Sequence, residues 1–292
     1  MFPQLFYGCT TSPKTNIRDI RMRRFLTIIS FLLLSVSQNH AQRSPQLPDS
    51  LIKAIRESEK IGKAIYENDY FSAAATDILF EKEILPHEKN IRGWLTLETP
   101  TQWVIKFYGM DGNDYVSLHE VTYSKKNPKY PQLWSHARPP ALSSSEQAMC
   151  KARTLAIQQK YMQCEDHYNT IVFPGSLFGL SGWVIYLLAA TQRQGEVVIG
   201  GHHRMDISSD GTTLIAKHQL SEACLTIPSI KKSHLDKDAD VEGLVVTQLL
   251  TDYPTEIHVF LSLLHHYPLY VTTKNYRWNV HDGKIDLISI EK

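Results

Sequence analysis

Histidines and carboxylates are the side chains of this chain best suited to acid–base or metal chemistry, and they gather late in the sequence. Of its 13 histidines, His202 and His203 sit side by side in Gly200-Gly201-His202-His203-Arg204, and His258, His265 and His266 follow within one short segment. Asp252 and Glu256 flank the same segment, in Thr251-Asp252-Tyr253-Pro254-Thr255-Glu256-Ile257-His258. A divalent metal would need His202 or His203 to meet His258 and one of these carboxylates, and Asp252, Glu256 and His258 are also the candidate acid–base groups. The spacing limits both ideas. Neighbouring residues of a strand point to opposite faces, so at most one of His202 and His203 can join a given site. His258 and His265 are two helical turns apart, roughly 10 Å, whereas two ligands on one helix need the spacing of four found in HExxH. The same polar run also has a purely structural reading as a helix start, with Thr251 or Asp252 turning the chain and Glu256 offsetting the helix dipole.

Other signatures are missing. No serine stands in G-x-S-x-G, no Walker sequence occurs, and Gly195…Gly200-Gly201 does not match G-x-G-x-x-G. Cys164 and His167 are too close in sequence to suggest a nucleophile–base pair. Trp94, Trp103, Trp183 and Trp278 fall in strand-like segments, where sheet packing competes with a sugar platform as their role. The net charge of +1 includes Lys14, Arg18, Arg21, Arg23 and Arg24, so the rest of the chain is slightly acidic and carries no electrostatic footprint for nucleic acid.

Those basic residues belong to a leader. Arg21, Arg23 and Arg24 precede an apolar run at 25–36 that is shorter than the roughly 20 residues needed to cross a bilayer. A basic start, a short apolar centre and small residues beyond it predict a secretory signal peptide, with Met22 as its natural start and cleavage after Ser37 or Ala41. An uncleaved signal anchor is the alternative. No cysteine follows the apolar run, so a lipid anchor is not expected, and neither is stable membrane insertion of the processed chain.

An oxidising destination favours disulfides. The reading places Cys150 and Cys164 on one helix, roughly 21 Å apart and out of mutual reach. Cys164 can pair with Cys224 in a later strand or turn; three buried free thiols are the alternative, and Cys150 is the odd cysteine either way.

The elements that position these groups read as α+β, with N-terminal helices followed by antiparallel β-meanders. Residues 1–41 form the leader and 42–90 a helical segment, which the polar step Glu67-Asn68-Asp69 breaks into a hairpin. A first meander and a proline-containing loop at 125–140 occupy 91–142. Residues 143–292 form a helix and a C-terminal α+β unit. Ser143-x-x-Glu146 predicts a capping box, opening a helix to about residue 163. Strands follow at 170–173, 183–191, 196–207 and 212–220. Next comes a charged loop at 229–242, and then the order strand, helix, strand, strand, strand. Gly93-Trp94-Leu95 and Gly182-Trp183-Val184 open the two meanders alike, which suggests two units of similar build.

Residues 200–228 and 245–283, with Cys164, Cys224 and Pro254-Thr255-Glu256-x-His258, resemble uncharacterised exported proteins of Gram-negative bacteria. That resemblance implies export, is compatible with the disulfide, and assigns no activity. The helix–strand ending also looks similar to the tail of JAB-type metalloprotease domains, but the H-x-H-P and S-x-x-D ligands are absent, with Val246 and Gln248 near where ligands belong. Together these readings lead to a non-catalytic binding module without a cofactor, for a protein or cell-envelope partner. A metal-dependent hydrolase and a glycan- or peptidoglycan-binding module are the alternatives.

Overall fold

The computed structural model describes residues 47–191, 193, 195–228 and 243–291. The segments expected to form the signal peptide with its cleavage sites and the charged loop at 229–242 lie outside the described residues.

The described residues open with α1 (Asp49–Glu81), a single helix where a hairpin was expected. Its buried positions Leu51, Ile55, Ser58, Ile61, Ile65, Asn68, Ser72, Ala75 and Leu79 recur every three or four residues, so one stripe runs the whole length. The step at Glu67-Asn68-Asp69 does not break it. Asn68 is on the buried face, and the Ser72 hydroxyl is absorbed locally by donating to the Asp69 carbonyl at 3.0 Å. Pro48 holds the cap position, and its carbonyl accepts the first helical N–H groups. At 33 residues α1 is about 50 Å long. A short turn of helix, α2 (Ile84–His87), follows.

The first meander is β1 (Gly93–Glu98), β2 (Gln102–Asp111), β3 (Asp114–Ser124) and β4 (Asn127–Ser135), antiparallel in that order. Trp103, Ile105, Phe107, Val121 and Tyr123 put one face of this sheet onto the C-terminal half of α1. β4 replaces much of the expected loop. It is an edge strand, exposed nearly throughout, where Pro128 and Pro131 cost little because an outer N–H has no ladder partner to lose.

α3 (Ser144–Ile157) carries the expected capping box: the Glu146 N–H donates to the Ser143 hydroxyl, and the Ser143 N–H donates to the Glu146 carboxylate at 2.9 Å. Lys106 ties that carboxylate to the first sheet at 2.8 Å. The helix ends six residues earlier than 163, because its apolar stripe stops at Ala156 and Gln159 donates back to the Leu155 carbonyl. Cys164 therefore lies in the following loop, and it forms the disulfide with Cys224. Cys150 is a buried free thiol.

The second sheet has the order β5 (His167–Pro174), β6 (Trp183–Ala190), β8 (His203–Ile207) and β9 (Leu214–Gln219), again antiparallel. A 3-10 turn, Gly175–Phe178, joins β5 to β6. The strand expected over 196–207 is interrupted. β7 (Glu196–Val198) leaves to pair with β10 (Thr226–Pro228), and the chain turns through Gly200 and Gly201. Gly201 has φ +87°, and a Cβ there would stand 2.5 Å from the Cys164 sulfur, so only glycine fits under the disulfide. One face of this sheet (Val172, Ile185, Leu187, Met205) meets α3; the other (Ile171, Phe173, Val184, Tyr186, Leu188) joins the core built with α1 and the C-terminal elements.

Those elements are β11 (Leu244–Thr247), α4 (Glu256–His265), β12 (Leu269–Thr272), β13 (Tyr276–His281) and β14 (Lys284–Ile290), in the expected order. β11 and β12 run parallel, joined through α4, in an otherwise antiparallel sheet. The chain is thus α+β, with three four-stranded sheets and the β7–β10 pair among the described residues. The last strands also return to the first helix: the Ile285 N–H donates to Glu59 at 2.9 Å, and Lys284 pairs with the same carboxylate at 3.0 Å.

α1 and α4 touch at Gly62. A Cβ there would lie 2.5 Å from the Val259 Cβ and 2.6 Å from the Glu256 carbonyl oxygen. Alanine gains about 1 kcal/mol in helix propensity, yet Gly62→Ala is expected to destabilise by about 1–3 kcal/mol, because the helices must separate. A urea midpoint equal to or above wild type would contradict this.

Candidate functional site

The structure disperses most of the sequence candidates. His202 is fully buried between the second sheet and α4. Its Nδ1 accepts the Ala189 N–H at 3.1 Å, and its Nε2 donates to the Val198 carbonyl at 3.2 Å. His203 points the other way, as the strand geometry requires, donating to the Met162 carbonyl at 2.8 Å and packing on Tyr161. His258 is buried and caps α4, its Nδ1 accepting the Thr255 N–H at 3.1 Å. Burial pushes His202 and His258 down to about 4, and His258 also feels the charge that His202 would carry. Asp252 closes a loop: its carboxylate accepts from Asn275 at 2.7 Å, and its carbonyl accepts from the indole of buried Trp278 at 3.1 Å. Among the described residues, no three His, Cys, Asp or Glu side chains converge as a metal site.

Glu256 is different. It accepts a hydrogen bond from the buried Tyr186 hydroxyl at 2.8 Å, and burial followed by the Glu256 charge raises that phenol well above its ordinary range. Beside it runs a polar row on the same face of the sheet. Arg204 donates to both Asp206 oxygens at 3.0 and 3.2 Å, and the Asp206 carboxylate also meets His218 at 2.9 Å. The Arg204 guanidinium lies over the Phe178 ring, 4.9 Å from its centroid. Sequence reasoning missed this row. Its signal was present, since Arg204 and Asp206 are two apart on a strand and so share a face. Every member already has a partner, so the row orders the sheet rather than offering a free nucleophile.

One open cleft, of about 550 Å³, lies where α1, the first meander, α3 and the second sheet meet. Leu97, Trp103, Met149, Phe173, Leu177 and Trp183 supply apolar walls. Asn68 and Thr96 face it from α1 and β1, and the Thr96 hydroxyl is buried without a hydrogen-bond partner. Lys60 and Glu98 stand at its rim, exposed and of opposite charge. The walls are held from behind. The Trp183 indole donates to the Ser209 carbonyl at 3.0 Å, Trp103 stacks on Phe71 at 5.2 Å, and Lys125, paired with Glu98, lies over Trp103. No family model, curated protein or solved structure matches the chain.

The cleft has the volume and composition of small-molecule sites, which are mostly apolar with a few placed polar groups. Of the four tryptophans read as strand residues, Trp103 and Trp183 wall it and Trp278 is core. Val246 and Gln248, near the JAB ligand positions, are both buried.

Proposed function

We propose that this chain is an exported, non-catalytic binding module, and that the cleft between α1 and the two meanders receives its ligand. The observation that carries this reading is the cleft itself: preformed apolar walls, two of them indoles held by other residues, around an unpartnered hydroxyl. A catalytic alternative finds less support, since the carboxylates and imidazoles nearest one another are engaged in structural hydrogen bonds. The ligand that fits is small and amphipathic, with a flat apolar part against Trp103 and Trp183 and a polar atom for Thr96. The Cys164–Cys224 disulfide supports export, because such bonds persist in oxidising compartments. Among the described residues no helix is long and apolar enough to cross a membrane. The periplasm or the extracellular medium is the proposed destination, reached through the signal peptide ending at Ser37 or Ala41.

Two measurements test this. Intact mass of the protein from a periplasmic fraction should match a chain starting at residue 38 or 42; a retained leader there would refute processing. For the cleft, Ala64→Trp fills the space from α1. Binding of an anilinonaphthalene sulfonate probe, followed by energy transfer from tryptophan, is expected to weaken at least tenfold in that variant. Unchanged affinity in a variant with wild-type melting would remove the cleft from consideration.

A further inference from the structure

A second, smaller pocket lies apart from the cleft and shares no residue with it. It holds about 110 Å³, the space of three or four waters at about 30 Å³ each, between the start of α4, the end of β11 and the loop carrying Cys224. Gln248 lines it. This side chain is 4% exposed, and its Nε2 is buried with no acceptor. Leaving such a buried donor unpaired is costly, so an orphan amide in a pocket wall points to an acceptor supplied by a ligand. His258 lines the same pocket. Its Nδ1 is taken by the Thr255 N–H, so the proton of the neutral ring sits on Nε2.

The acceptor these groups want is uncharged. Neither donor is a cation: burial keeps His258 neutral near pH 7. Glu222 at the rim adds a negative charge, which disfavours a carboxylate or phosphate. Ile199, Leu225 and Ile257 form an aliphatic side of the pocket, and Ser221 and Thr247 stand among its other lining residues. A carbonyl oxygen attached to a methyl group meets both demands, with the oxygen toward Gln248 and the methyl toward the aliphatic wall. We infer that this pocket binds the acetamido group of an N-acetylated sugar, with Gln248 and His258 donating to its carbonyl oxygen and Glu222 placed to accept from a ring hydroxyl. This inference stands independently of the cleft, because it rests on a different cavity and on the orphan amide.

The test is saturation-transfer NMR on the processed chain with N-acetylglucosamine, glucosamine, glucose and N-acetyl-lysine. Transfer to the acetyl methyl of N-acetylglucosamine is expected, with at least tenfold weaker binding of glucosamine and glucose. Gln248→Leu should abolish the signal while leaving melting unchanged or raised, because it removes an unpaired donor. Leu225→Trp, introduced from the exposed rim, should abolish it by filling the pocket and serves if the first variant does not fold. No transfer from N-acetylglucosamine, equal transfer from glucosamine, or persistence in both variants overturns the proposal. Equal binding of N-acetyl-lysine overturns the assignment to a sugar.

Discussion

Acidification from pH 7 to pH 4 is expected to remove several kcal/mol of stability. His202 and His258 lie at about 4 in the folded protein because they are buried, and near 6.5 in an unfolded chain. Between those values the unfolded chain binds protons that the folded one does not. Their contribution is fully present above pH 6.5 and is lost as the pH falls towards 4, by up to roughly 3 kcal/mol for each histidine. Burial also lowers His119, His203 and His265, which act in the same direction. Asp69, raised by burial, opposes them, but nearer the carboxylate range. Urea midpoints between pH 7.5 and 4.5 measure the loss. A His202→Leu, His258→Asn double variant should show a much shallower slope, and an equal slope would assign the acid sensitivity elsewhere.

Reduction of the disulfide has the other large effect. Cys164 and Cys224 close a loop spanning 60 residues, and opening it returns roughly 4 kcal/mol of entropy to the unfolded chain. Against a total stability of about 5–15 kcal/mol, that is enough to lower melting by many degrees. Cys164→Ser should melt like the reduced wild type, and reductant should leave the variant unchanged. Identical melting of oxidised and reduced wild type would mean that the bond contributes nothing to stability. The loss should be felt first around Gly201, which packs directly against the Cys164 sulfur.

Local signals were read well. The capping box at Ser143 and the order of the last five elements follow from short-range rules, since capping chemistry and periodicity are decided within a few residues. Errors arose where tertiary context overrode those rules. The polar step at Glu67–Asp69 reads as a break, but the buried stripe on either side continues through it. Pro128 and Pro131 read as loop, but the outer edge of a sheet tolerates them. The interruption at Gly200-Gly201 depends on Cys164, far away in sequence. The candidate site was the least legible part. The histidines that looked like ligands are buried and hydrogen-bonded to backbone, whereas the cleft is assembled from two helices and strands of two sheets, with walls such as Leu97 and Met149 that carry no chemical signature alone. Glu256 was singled out, but its partner Tyr186 was not, because nothing local ties the two.

The pairing of Glu59 with Lys284 and Ile285 has a consequence for folding order. Glu59, in the N-terminal half of α1, finds these partners only when the last strand has appeared, across a separation of more than 220 residues. Contacts this distant slow folding, because loop closure precedes any compensating contact. The first meander can cover the C-terminal half of the α1 stripe early, but Leu51, Ile55, Ile61 and Ile65 pack in a core that includes the C-terminal elements and stay exposed until those are made. The N-terminal half of the helix would therefore fold late, which suits the export proposed above, because a secretion channel takes a chain that has not yet folded.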